Sequence, residues 1–271
     1  MNDYAGYVLM ASVIVALFCI ERLHPASTDR NGEWINNGAA WVFTAASHTI
    51  LIGSLAASET AVVNSLGGGL IDLRALPLGL GALLYLLAMD LGEYLFHRAQ
   101  HAIPALWAMH SLHHSDRSMN VATTQRHFWL EPAIKSLTIW LVVAVAFHAN
   151  GNILGIYVLF SFGHFLTHSN IRLGFGAFSW LFNSPQYHRL HHSVQPDHHN
   201  ANFAALLPIF DVISGAYHQP RPGEFPATGL DDAPRSPIEV LLWPVRGRLR
   251  RLTGAKHPGA SSSVSIPTGE A

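Results

Sequence analysis

The chain has 271 residues, 49% of them hydrophobic and only 12% charged, whereas a soluble domain carries about 25% charged residues. Its net charge of −1 excludes a polybasic nucleic-acid binder, and its single cysteine, Cys19, excludes an intrachain disulfide framework. What remains is a chain built for a membrane.

Apolar runs occupy residues 4–20, 39–57, 76–89, 133–147 and 152–165. Crossing a hydrocarbon core of about 30 Å takes roughly 20 helical residues, so the first two runs suffice and the third needs its continuation through Phe96. Asp3 and the lack of any basic residue ahead of the first run argue against a cleaved signal peptide. The last two runs are short and separated only by His148-Ala149-Asn150-Gly151, which predicts a helical hairpin entering and leaving on one side. The expected fold class is all-α: an integral membrane bundle of four or five apolar helical segments. Further on, residues 237–252 set Ile238, Val240, Leu241, Leu242 and Trp243 ahead of Arg246, Arg248, Arg250 and Arg251. That pattern fits either an interfacial anchor or a basic solvated terminus. Residues 254–271, rich in Ser, Gly, Ala and Pro, read as disordered.

Arginine and lysine orient the bundle. If the loop after the first helix is cytoplasmic, only Arg74 among the 16 Lys and Arg residues falls outside.

Ten of the 18 histidines sit in four clusters: His97 with His101, His110 with His113 and His114, His164 with His168, and His188 with His191 and His192. Side chains at i, i+3 and i+4 share a helix face, about 5–6 Å apart at Cβ, so each cluster can aim several ring nitrogens at one point. Every cluster follows an apolar run on the same side, so together they predict a histidine-rich cytoplasmic cap. Ten neutral imidazoles exceed the needs of one ion and suit two metals with about four or five ligands each. Imidazole serves iron, zinc, copper and nickel alike, but a cage without thiolate is unlike a closed structural zinc site of Cys and His.

Asp90 and Glu93 lie two turns and one turn before His97. Carboxylates at such a depth are candidates to receive the free N–H of a metal-bound histidine; a helix-to-helix hydrogen bond is the alternative. Trp107, Phe128 and Trp129 read as an interfacial aromatic belt. His198 and His199 follow the fourth cluster too loosely for ligation and read as a solvated turn, and His24, His48, His148, His218 and His257 are isolated.

The run from Asp90 through Glu93, Tyr94, His97, Arg98, His101, Pro104, Trp107, His110, His113 and His114 to Ser115 resembles the core signature of the fatty acid hydroxylase superfamily, also called the sterol desaturase family. The resemblance continues through Asn120, Thr123, Arg126 and His127, then His164, His168 and Asn170, then Pro185, His188, His191 and His192. It closes with Asn202-Phe203, Asp211, Gly215 and Tyr217, in order as well as in spacing. Two departures stand out: Ala204 follows Phe203 where the family usually has glycine, and no aromatic precedes Gly215 in Asp211-Val-Ile-Ser.

The resemblance implies an integral membrane oxygenase whose ten clustered histidines ligate two non-haem iron ions, with O2 as co-substrate. It implies a lipid substrate, fatty acyl, sterol or related, oxidised at an unactivated C–H bond, and roles for Arg126 and His127 in orienting ligands or substrate. The expected organisation is N-terminal transmembrane helices over 1–89, a catalytic region over 90–217 and a partly disordered cytoplasmic tail over 218–271. The expected location is a bacterial inner membrane with the site on the cytoplasmic side. No dinucleotide fingerprint, haem-attachment motif or iron–sulfur cysteine set is present, so electrons must come from a separate reductase or electron-transfer protein. Hydroxylation is the favoured outcome and desaturation at the same site the runner-up. A metal-transport or metal-storage membrane protein is the alternative of a different class, although a transporter would place its ligands near the bilayer midplane. A haem-binding bundle would need facing histidines deep in the helices.

Overall fold

The computed structural model describes residues 3–27 and 33–246, with side chains described from Val8 onward. Much of the basic stretch over 237–252 and all of 254–271 lie outside the described residues. The described chain is mostly helical. Helix α1 (Asp3–Leu23) is followed by α2 (Trp34–Ser47), a wide π turn (His48–Ile52) and α3 (Gly53–Ser65), the last three forming one unbroken run. Strand β1 (Ile71–Asp72) precedes α4 (Leu78–Ala102) and α5 (Pro104–His114). Two helical runs, Trp34–Ser65 and Leu78–Ala102, are long and apolar enough to cross a membrane.

The predicted hairpin is present. Its first limb comprises α6 (Glu131–Lys135), a second π turn (Ser136–Trp140) and α7 (Leu141–Ala146), and its second α8 (Gly151–Ser161) and α9 (Gly163–His168). Between them β2 (Phe147–His148) pairs in parallel with β1. The hairpin tip therefore reaches the level at which α4 begins. α4, at 25 residues, is about 37 Å long by helical rise, and the shorter hairpin limbs run beside most of it. α4 and the hairpin approach closely at Gly92, where an added Cβ would lie 2.5 Å from Cγ2 of Ile139; any larger side chain there would separate them.

At the other end, α1 finishes against the segment after α9 through a bridge between Pro25 and Ile171, and the loops between helices carry α10 (Pro185–His191), α11 (Ile209–Ser214) and α12 (Pro237–Leu241). Pro104 and Pro185 occupy first-turn positions of α5 and α10, where proline costs no hydrogen bond, and the Ser184 hydroxyl caps α10 by accepting the Tyr187 N–H at 3.2 Å.

The described part of the 218–271 tail, residues 218–246, is tied to the rest of the fold. The Val194 N–H donates to the Ala227 carbonyl, the Thr228 hydroxyl to the Asp116 carbonyl, and the Arg117 side chain to the carbonyls of Leu230 and Asp231. In the described part of the 237–252 stretch, Ile238, Leu241 and Val245 stay exposed while other apolar residues turn inward. Val240 and Trp243 pack into a core with Ala40, Leu112 and Phe128, and the Trp243 indole donates to the Ser111 hydroxyl at 2.9 Å. The aromatic belt changes likewise: Phe128 belongs to that core, and Trp107 packs on the rings of His101 and His114 at 4.9 and 5.4 Å between centroids.

Large apolar side chains stay exposed along the bundle, among them Leu83 on α4, Val142 on α7 and Val158 on α8. The polar interior lies instead among the loops at the other end, where Asp116, Arg126, Asn202 and Asp211 are each 0% exposed.

Candidate metal centre

The histidines meet where α4, α5, α9 and α10 end. His97, His101, His110, His114 and His191 form one group and His113, His168, His188 and His192 a second, each able to bring one ligand atom per residue within 4.8 Å of the others. α5 and α10 serve both groups. Adjacent histidines at 113 and 114, and at 191 and 192, diverge by about 100° around the helix axis, so each helix end feeds two points.

The donor set fits metal ions. In the second group the His168 Nδ1–H donates to the His164 carbonyl at 2.7 Å, leaving its Nε2 as a lone pair. The Nε2 atoms of His113 and His188 crowd that lone pair at 3.0 and 2.9 Å. In the first group the His97 Nδ1–H donates to the Phe203 carbonyl at 2.7 Å and the His191 Nδ1–H to the Ala201 carbonyl at 2.8 Å. Both Nε2 atoms are then left buried without a hydrogen-bond partner, as are Nε2 of His110 and both ring nitrogens of His192. Buried polar atoms normally find partners; so many converging lone pairs with none are what an ion would satisfy. Burial, aided by neighbouring imidazoles, holds His113, His114, His188 and His192 well below the usual histidine range, which keeps them in the neutral form a metal requires.

The carbonyls that fix His97 and His191 are themselves placed by an unusual turn. Asn202 adopts φ 59, a left-handed conformation that asparagine tolerates better than most residues. Its side chain bridges His218, accepting the backbone N–H at 2.7 Å and donating to the carbonyl at 3.0 Å. Buried Asp211 holds the next residues by accepting the N–H groups of Phe203 and Ala204 at 3.0 and 2.8 Å and the Tyr187 hydroxyl at 2.6 Å.

The polar residues singled out from sequence are redistributed. His164 stands outside both groups; it supplies its carbonyl to His168, and its ring lines a polar cavity of about 60 Å³ with Glu93, His97, His110, His113, His127, Lys135, His168 and His188. Asp90 does not receive an imidazole N–H: its carboxylate accepts the backbone N–H groups of Leu206 and Leu207 at 2.9 and 3.0 Å, pinning to α4 the loop that leaves the Asn202 turn. Glu93 pairs with Lys135 at 2.5 Å on the cavity wall. Arg126 is fully buried and touches neither histidine group. It donates to the Leu112 carbonyl at 3.0 Å, Asn37 at 2.6 Å, the Ser115 hydroxyl at 2.8 Å and Glu33, thereby clamping the end of α5 that carries His110, His113 and His114 to the start of α2. The His127 ring stacks on His113 at 4.7 Å and 9°.

One carboxylate went unpredicted. Glu131, 2% exposed, lies 3.5 Å from His110 Nδ1 and 3.3 Å from His127 Nδ1, and accepts from the Gln100 amide at 2.6 Å and the Phe128 N–H at 3.1 Å. Burial alone would raise its pKa, but the contacts from His110 and His127 outweigh it and hold the carboxyl below its usual range. The available signal was its i+4 spacing from His127.

Comparison with known proteins agrees with this geometry. Residues 82–216 match the family model described as fatty acid hydroxylase. An alkylglycerol monooxygenase of Xenopus tropicalis is 29% identical over 132 residues, 48% of this chain and 29% of the relative. An ornithine lipid hydroxylase of Rhizobium tropici is 29% identical over 144 residues, 53% of this chain and 44% of the relative, and the alkylglycerol monooxygenase of Homo sapiens is 28% identical over 133 residues, 48% of this chain and 29% of the relative. The aligned region thus spans less than half the length of these relatives. No solved structure matches the chain. With the histidine spacing, the two histidine groups and the match over 82–216 in agreement, the chain belongs to the fatty acid hydroxylase superfamily.

Proposed function

We propose that the chain is a membrane-embedded lipid hydroxylase that uses two non-haem iron ions, held by the histidine groups, and O2 to hydroxylate an unactivated C–H bond. The observation that carries this reading is the convergence of nine of the ten cluster histidines into two adjoining groups beside one polar cavity, at the end of an apolar helical bundle. His97, His101, His110, His114 and His191 would hold one ion and His113, His168, His188 and His192 the other. Bound iron would supply the activation of O2 and the oxidising power that an aliphatic C–H bond demands.

The chain's own residues do the rest. Carbonyls of Phe203, Ala201 and His164 fix the tautomers of His97, His191 and His168, and Glu131 sets its charge 3.5 Å from His110 Nδ1. The Glu93–Lys135 pair, His127 and His164 line the cavity shared by the two groups. Leu91 and Leu95 on α4 and Leu137 on the hairpin are exposed at the depth of that cavity, so a lipid can keep its chain in hydrocarbon while one carbon reaches the site. The curated relatives act, by their names, on an alkylglycerol and an ornithine lipid, which supports a substrate combining a polar headgroup with an apolar chain.

The reading places four or five segments in the membrane, two of them the long apolar runs, with the histidine cap on the cytoplasmic face, the orientation that leaves only Arg74 outside. Electrons would come from a separate reductase or carrier docking on that face. Isotopically labelled O2 supplied to cells making the protein should place one heavy oxygen atom in a lipid, read by mass spectrometry. Accumulation of an unlabelled alkene would replace hydroxylation with desaturation at the same site.

A further inference from the structure

Beyond the nine-histidine centre the fold assembles another ligand set that neither sequence spacing nor the family match marks out. His198, His218 and Glu224 can bring one ligand atom each within 4.8 Å of one another. Their positions are set by three different local devices. His198 ends the short turn Pro196–His198. His218 is held through its backbone by the Asn202 side chain. Glu224 closes a turn in which Gly223 takes φ 74 and the Glu224 N–H donates to the Arg221 carbonyl at 3.0 Å.

The side chains are oriented as well as close. The Arg221 N–H donates to Oε2 of Glu224 at 2.9 Å, which leaves Oε1 facing Nε2 of His198 at 3.6 Å. That is too long for a hydrogen bond and close to the edge of about 3.4 Å between two ligands on a tetrahedral ion with bonds of about 2.1 Å. The rings of His198 and His218 meet at 4.8 Å and 71°. His198 is only 4% exposed, and its Nδ1 is buried without any hydrogen-bond partner. The expectation of a solvated turn at His198 is therefore wrong: the ring is buried, and its Nε2 is the atom that faces Glu224.

We propose that His198, His218 and Glu224 form a third metal site, separate from the nine-histidine centre, that takes one borderline divalent cation of the zinc type. Two imidazoles and a carboxylate suit such an ion and leave a position for water, whereas magnesium and calcium prefer oxygen ligands. The site ties the loop after α10 to the segment over 218–224. His218 is clamped to Asn202, whose neighbouring carbonyls fix His97 and His191, so an ion here braces the turn that orients two histidines of the first group. None of this depends on the proposed lipid chemistry.

The full chain, purified in detergent, loaded with zinc and freed of excess, tests the proposal by counting metal per chain. The unaltered protein should hold one equivalent more than Glu224→Gln and one more than His218→Asn, both at partly exposed positions. Equal counts in all three would overturn the proposal. A second measurement needs no variant: zinc added to protein whose nine-histidine centre is already filled should raise its melting temperature, and no rise would likewise overturn it. Loss of metal from a His113→Ala variant with retention of this extra equivalent would separate the two centres.

Discussion

The five-histidine and four-histidine groups share α5 and α10 but are held from different directions. The five-member group is gripped from outside, by the Phe203 and Ala201 carbonyls and by Glu131, and two of its members, His97 and His101, are only partly buried. The four-member group is wholly buried, with the Nε2 atoms of His113, His168 and His188 crowded together and His168 steadied from outside by the His164 carbonyl. One group can tolerate the loss of a ligand and depends on its outer contacts; the other has no spare ligand and little outside support. The same family of side chain thus gives two sites with different weaknesses.

The largest effect should come from His113→Ala, which leaves the four-member group with three ligands. It should lose that ion and cut activity by more than the roughly 10–100-fold that losing an outer contact costs. His191→Ala leaves four ligands in its group, so metal should be retained at lower affinity with a smaller loss of activity. Full metal occupancy in both variants, measured by elemental analysis, would break the ligand assignment, and equal losses would break the comparison. Next in size is Glu131→Gln, which removes the negative charge beside His110. It should weaken metal binding about 10–100-fold at the five-member group alone, so a loss shared by both groups would show that they are not independently held.

The smallest expected effect is on stability. Burial pushes His168 and His191 down to about 3 from an ordinary value of 6.5. Between those values the unfolded chain binds protons that the folded chain does not, so the metal-free protein loses stability as pH falls from about 6.5 towards about 3. It keeps that contribution in full above about 6.5. A melting temperature of the metal-free protein that stayed level across this window would mean that these imidazoles are more solvated than their burial indicates.

Much of the centre was legible because its spacing is local. Histidines at i, i+3 and i+4 advertise a shared face, and four such clusters after apolar runs predict a cap. Which histidines share a group was not legible, since His97 joins His191 and His113 joins His188 across loops that no periodicity describes. Asp90 was misread for the same reason: its partners are backbone N–H groups at Leu206 and Leu207, more than a hundred residues on. Glu131 sits where a proline and a π turn interrupt the helical pattern, which masked its face. His198 and His218 are 20 residues apart and meet only because Asn202 turns the chain between them. The hairpin was legible from its two apolar runs, whereas its depth was not, because that depends on β2 pairing with a segment before α4.

The Trp243 indole wedged beside Ser111 also bears on the order of events during synthesis. The helix it braces carries His110, His113 and His114, so α5 is not fully packed until residue 243 has been made. At translation rates of 5–20 residues per second, roughly 7–30 s separate the synthesis of His97 from that of Trp243. During that interval the cell holds a partial set of imidazoles without the carbonyls and core that orient them. A centre that waits for Trp243 would be filled after synthesis rather than during it, and any metal it took would be set by which ions are available to the completed chain.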